Sequence, residues 1–132
     1  MKTLKKSNNI DNVGFIKYTK MGKLIRAICE NCKYETELHL GGGMMNFKTN
    51  CSFPALNKTM NRIEERNIFK RDKEKNNPSH ILFYDSKSLL DKNSIRSKDH
   101  LNWDKYRLYD ADYYCPKCGK FALQFVLDGL FD

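Results

Sequence analysis

Cys29-Glu30-Asn31-Cys32 and Cys115-Pro116-Lys117-Cys118-Gly119 are the two stretches from which the architecture of this 132-residue chain can be read. Two residues between cysteines let a tight turn aim both sulfurs at one point while backbone N–H groups face the thiolates. Two such knuckles complete a tetrahedral shell of four sulfurs at about 2.3 Å from a metal. Soft thiolates in that geometry favour Zn²⁺, and a filled shell leaves no position open for chemistry. Cys29, Cys32, Cys115 and Cys118 are therefore the candidate metal ligands, with Zn²⁺ as the expected cofactor. The second knuckle is the more specific, because Gly119 can adopt the positive φ that such a turn often needs after its second cysteine. The 82 residues between Cys32 and Cys115 make a long insertion. Closure entropy grows only with the logarithm of loop length, and metal binding supplies on the order of 10 kcal/mol to folding.

The flanking residues read as strands. Leu24–Ile28 leads into the first knuckle. After it, Tyr34, Thr36, Leu38 and Leu40 alternate with Lys33, Glu35, Glu37 and His39, the period of a half-buried strand. Phe121, Leu123, Phe125 and Leu127 alternate with Ala122, Gln124 and Val126, which predicts a strand with both faces substantially covered. Gly41-Gly42-Gly43 predicts a bulged turn. No Lys-Ser or Lys-Thr follows it, so it is no phosphate-binding loop.

Both knuckles, in CENCKYETELHLGGGMM and YYCPKCGKF, resemble those of zinc-ribbon proteins, closest to small bacterial ones that open with CxxC, a strand and a Gly-rich turn and close with a CPxCG knuckle. The likeness covers roughly residues 24–47 and 109–127. It implies a structural metal, a cytosolic setting and no catalytic residues. The expected fold class is α+β: a small antiparallel sheet from segments near 24–29, 33–40 and 120–127. Residues 24–132 form the zinc-ribbon domain, with a helical or irregular insertion over 52–108. Residues 1–23 read as a basic, flexible segment.

Other readings of the cysteines stay open. A thioredoxin-like CxxC follows a strand and starts a helix, whereas alternating strand patterns follow both pairs here. An iron–sulfur site is a further alternative. Cys51 reads either as a small buried apolar residue or as a reactive thiol. His39, His80 and His100 lack mutual metal spacing and read as surface or capping residues.

Within the insertion, Cys51–Pro54 reads as a turn into a helix, with Pro54 in its first turn. Residues 55–75 contain good helix formers and no Gly or Pro beyond that point, and Leu56, Met60 and Ile63 make a stripe at helical spacing. The segment 80–84 predicts a short buried strand. A short helix near Ser86–Lys92 followed by a loop is expected over 85–102. The aromatic run Trp103–Tyr114 reads as core packed over the metal site, or alternatively as a surface on which bases stack.

The formal charge is +8, and residues 1–28 alone carry a net +6. This asymmetry points to an anionic partner, although 18 Lys and 13 Asn also fit a purely compositional bias. Lys17, Lys20, Lys23, Arg26, Arg62 and Arg66 are the candidate nucleic-acid contacts. Lys predominates over Arg, which favours phosphate contact over base reading. No apolar run reaches the roughly 18 residues of a membrane span, and the N-terminal residues carry no secretory pattern, so a cytoplasmic location is expected. No activated nucleophile, paired carboxylates or open metal site is visible, and no enzyme is expected. The functional expectation is a non-catalytic, zinc-stabilised module contacting nucleic acid or a nucleoprotein. The alternative is a protein-binding adaptor or inhibitor working through the aromatic insertion.

Overall fold

The computed structural model describes residues 22–43 and 49–131. Lys17 and Lys20, and most of the basic segment 1–23, lie outside the described residues, as does most of the stretch after Gly43. Nine strands and one short α-helix are present among the described residues: β1 Gly22–Cys29, β2 Glu35–Leu40, β3 Ser52–Asn57, β4 Arg62–Asn67, α1 Ile68–Asp72, β5 Ile81–Phe83, β6 Ser97–Trp103, β7 Tyr106–Asp110, β8 Tyr113–Tyr114 and β9 Phe121–Phe131. They form three antiparallel sheets, ordered β2-β1-β9-β8, β4-β3-β5 and β6-β7.

The first sheet follows the alternation in the sequence. Leu38 and Leu40 on β2 and Ile25, Ala27 and Cys29 on β1 turn inward. On β9, Leu123 and Phe125 are buried, but Phe121 and Leu127 at either side are exposed. The expected two-sided cover thus holds only over the middle of the strand. β9 carries one extra residue where Leu24 pairs with Gly129 and Ile25 with Leu127. A bulge of this kind re-aims a side chain, and the bulged Asp128 meets Arg26 at 3.0 Å.

The long helix expected over 55–75 is replaced by the β3–β4 hairpin, with only α1 remaining helical. Leu56 and Ile63 stand seven residues apart, which matches two helical turns. In the structure they are direct cross-strand partners. The turn between them is closed by Asn57, whose Oδ1 accepts from Thr59 N at 3.1 Å and Met60 N at 2.9 Å. Asn61 completes it with φ 55° and an N–H bond of 2.8 Å to the Asn57 carbonyl. Asn supports both the side-chain turn and the left-handed residue. Met60 sits at the tip and is exposed. Pro54 likewise lies in a strand rather than a first helical turn, and its carbonyl accepts from Tyr84 N at 3.0 Å. Asn67 ends β4 and caps α1, its Oδ1 accepting from Phe69 N and Cys51 N.

Segment 80–84 gives β5 as expected. The helix expected near Ser86–Lys92 is reduced to 3-10 turns at Lys87–Leu89 and Lys92–Ser94, capped by Ser86 and Asp91. The predicted loop beyond them contains β6, which pairs with β7.

The sheets share one core. Trp103, Tyr106, Leu108 and Tyr113 are buried, so most of the aromatic run is interior. Tyr84, Tyr113 and Phe125 form a mutual edge-to-face trio with centroids 5.1–6.0 Å apart. Phe69 contacts Trp103 and Tyr106, and Phe53 contacts Tyr106. Contacts of this geometry each add about 0.5–1.5 kcal/mol beyond the area they bury. The indole of Trp103 lies close enough to Gly41 (φ 91°) that a Cβ there would fall 2.2 Å from it. Gly41 therefore provides a close packing surface, and it bridges to Ser52 to join the first two sheets.

Candidate metal centre

β1 and β9 run antiparallel with Cys29 opposite Leu123, and Leu123 in turn lies opposite Tyr113 on β8. The end of β1, the start of β9 and the end of β8 therefore meet at one edge of the sheet. The two knuckles extend from these ends and face each other. A further bond from Glu30 N to Ala122 O, 2.9 Å, ties the first knuckle to the strand that leaves the second.

The two turns are built alike. In the first, Cys29 N donates to Tyr34 O at 2.8 Å and Lys33 N donates to Cys29 O at 3.0 Å. In the second, Cys115 N donates to Lys120 O at 2.9 Å and Gly119 N donates to Cys115 O at 2.8 Å. The residue four beyond the first cysteine is left-handed in both, with φ 69° at Lys33 and 75° at Gly119. Cys32 N also points at Cys29 Sγ, 3.4 Å away.

The four Sγ atoms lie within 4.8 Å of one another. Across the knuckles, Cys29 Sγ is 3.7 Å from Cys118 Sγ and Cys32 Sγ is 3.6 Å from Cys115 Sγ. A disulfide needs about 2.05 Å, and all five cysteines are free. A regular tetrahedron with metal–sulfur bonds of about 2.3 Å has edges of about 3.8 Å. The cross-knuckle spacings fit that edge, and the donor set is one that soft divalent metals take. These residues can hold a metal ion.

The site is sheltered on one side only. Cys29 and Cys115 are buried, Cys118 is half-buried and Cys32 is exposed. Burial pushes the Cys115 thiol up to about 12, whereas the polar Asn31 side chain leads the influences that draw the Cys118 thiol down to about 6. Asn31, inside the first CxxC, is a supporting residue that the sequence reading does not single out. Its spacer position, facing the opposite knuckle, is the only signal the sequence offers. Of the lysines around the knuckles, Lys117 lies over the Tyr34 ring at 5.5 Å and Lys33 donates to the Glu30 carbonyl at 3.3 Å.

Neither cysteine pair opens a helix, so the thioredoxin arrangement is absent at both. Cys51 stands outside the cluster, with no exposed surface, and burial raises its thiol to about 12. It is therefore protonated and unreactive at neutral pH. His39 pairs with Glu65 at 3.0 Å, and the Nε2 of His100 lies 2.8 Å from the Phe125 carbonyl. The backbone carbonyl of His80 accepts from Lys58 N.

The described members of the candidate nucleic-acid set all have partners within the fold, and Arg62 and Arg66 meet on one carboxylate. Lys23 Nζ donates to the Asn102 carbonyl at 2.6 Å. Arg26 is held by Glu35, Glu37 and Asp128, and Arg62 and Arg66 share Glu64 at 3.2 and 2.6 Å. No helix among the described residues is long and apolar enough to cross a membrane. No protein-family model, no curated protein and no solved structure matches the chain.

Proposed function

We propose that the chain is a zinc-ribbon module in which one Zn²⁺ on Cys29, Cys32, Cys115 and Cys118 fixes a non-catalytic scaffold for binding nucleic acid or a nucleoprotein. The observation that carries the metal reading is the tetrahedral spacing of four thiols from two identically built turns. Zinc is favoured over other ions because it takes four sulfurs tetrahedrally without redox demands. Four thiolates fill that shell, so no coordination position remains to bind and activate a water. Asn31 would hold Cys118 as a thiolate, and the N–H groups of the turns would offset the negative charge that four sulfurs leave on the site.

The partner reading rests on the charge of +8 and on the excess of Lys, a point-charge donor suited to phosphates. The rival adaptor reading requires an exposed aromatic insertion, and Trp103, Tyr106 and Tyr113 are buried. Affinity purification of the zinc-loaded chain with and without nuclease tests the choice. Nucleic acid that co-purifies, is lost on nuclease treatment and binds with steep salt dependence supports the reading. Affinity that stays flat with salt, or one defined protein retained after nuclease treatment, contradicts it.

A further inference from the structure

A cleft of about 550 Å³ lies between segment 84–95 and the β6–β7 hairpin. Lys87, Lys92, Lys98, Lys105 and Arg107 line it against a single carboxylate, Asp85. That carboxylate is already taken by the Arg71 guanidinium, through two hydrogen bonds of 2.7 and 2.8 Å. The nearby Asp110 and Asp112 are both engaged by Arg96. Lys105 lies 5.5 Å from the Tyr106 ring centre. Lys87, Lys92, Lys98 and Arg107 are exposed and have no carboxylate within salt-bridge distance among the described residues.

This concentration follows from strand geometry. On β7, Tyr106 and Leu108 turn into the core, and Arg107 and Tyr109 turn outward. Tyr109 is half-buried, which leaves part of its ring on the cleft wall. Its backbone N–H is fixed by the Tyr113 hydroxyl at 2.8 Å, and the Tyr84 hydroxyl donates to the Tyr114 carbonyl at 2.7 Å. The floor is thus made of buried, hydrogen-bonded tyrosines that do not need to move. A half-apolar cleft of about 550 Å³ has the dimensions of a small-ligand site. Cationic groups without a carboxylate partner supply phosphate contacts, and the half-exposed Tyr109 supplies a ring face on which any base can stack.

We infer that this cleft binds a nucleotide unit, with phosphate held by Lys87, Lys92, Lys98 and Arg107 and the base against Tyr109. The inference rests on the nucleic-acid reading for the unit's source being a single strand, but the cleft chemistry is the same for a free nucleotide. It moves the contact surface away from Arg26, Arg62 and Arg66, whose guanidinium groups are each engaged by a carboxylate.

Fluorescence anisotropy of the zinc-loaded full chain with a short labelled single-stranded oligonucleotide tests the proposal, with AMP and inorganic phosphate as competitors. The double variant K98Q/R107Q should weaken binding at least about tenfold and reduce the log–log salt slope by about 0.7 for each phosphate no longer neutralised. Tyr109→Leu should weaken it at least about fivefold. The control R62Q/R66Q should leave it within about twofold. Zinc content and near-UV circular dichroism report that each variant is folded, and a change in salt slope is not produced by a purely structural defect. Loss of binding in R62Q/R66Q but not in K98Q/R107Q would overturn the cleft assignment and leave the nucleic-acid function standing. Cleft-dependent binding of AMP without binding of the strand would uphold the cleft and remove the nucleic-acid function. Inorganic phosphate competing as well as AMP would overturn the stacking role of Tyr109. No binding by either nucleotide or strand would overturn both.

Discussion

Lys33 and Gly119 occupy the same place in their knuckles, and only one of them suits it. A left-handed backbone costs a residue with a Cβ about 1–2 kcal/mol, less the extra chain entropy that Gly loses on folding. Nothing lies within 4 Å of a Cβ placed on Gly119, so its substitution tests backbone strain alone. Gly119→Ala should destabilise the zinc-loaded chain by about 1 kcal/mol, and Lys33→Gly should be neutral or stabilise it by up to about 1 kcal/mol. Denaturant midpoints at fixed zinc read both. The reverse signs would mean that the two turns are not equivalent. Thiol labelling separates the cysteines by role. The metal-loaded chain should react slowly at every cysteine. After chelation the exposed Cys32 and the half-buried Cys118 should label before Cys51, which is fully buried and has its thiol raised by that burial. Cys51 labelling first would contradict its placement.

At the scale of elements, the β3–β4 hairpin depends on its turn. Asn57 supplies two turn hydrogen bonds and also donates to Glu64 at 3.2 Å. Asn57→Ala should cost about 1–3 kcal/mol, since it leaves turn N–H groups without their acceptor. Far-UV circular dichroism should give a sheet-rich spectrum with little helical signal. A strong helical signal would restore the helix expected over 55–75. The sequence is legible where side-chain period and burial agree. The alternation through Leu38 and Leu40 and the two cysteine turns are readable because local chemistry alone specifies them. The hairpin is not, for a physical reason. Leu56 and Ile63 satisfy helical spacing and cross-strand pairing at once, and good helix formers such as Glu64, Glu65 and Arg66 carry only a weak preference that sheet pairing overrides. The turn signal is present in Asn57 and Asn61 but involves one side-chain acceptor and one left-handed residue. β6 and β7 escape a sequence reading because polar residues from Ser97 to His100 interrupt any period, and their pairing is irregular there. The pairing of Arg26 is hidden in the sequence because its carboxylate partners come from neighbouring strands, whereas Arg62 and Arg66 flank acidic residues that read as salt-bridge partners from spacing alone, with Glu64 rather than Glu65 taking that role in the hairpin.

At the scale of the whole molecule, the metal site closes a loop that holds most of the chain. Everything from β2 to β8 lies between the two knuckles, so an ion bridging them constrains nearly all of the described residues at once. Chelation should therefore lower thermal stability by many degrees and broaden or abolish the cooperative transition, as measured by calorimetry with and without chelator. Cys29→Ser or Cys115→Ser should do the same in the presence of zinc. Lowering the pH should release the ion, because protons compete with the metal for the thiolates, and zinc affinity should rise with pH until all four are ionised. A stability unaffected by chelator would mean that the aromatic core alone carries the fold.

X-ray absorption at the zinc edge, on protein purified without added metal and reconstituted with one equivalent, tests the central assignment most directly. One zinc per chain is expected, with four sulfur scatterers at about 2.3 Å and no oxygen or nitrogen in the shell. A shell containing nitrogen or oxygen, fewer than four sulfurs, or a chain that retains no stoichiometric metal would contradict it.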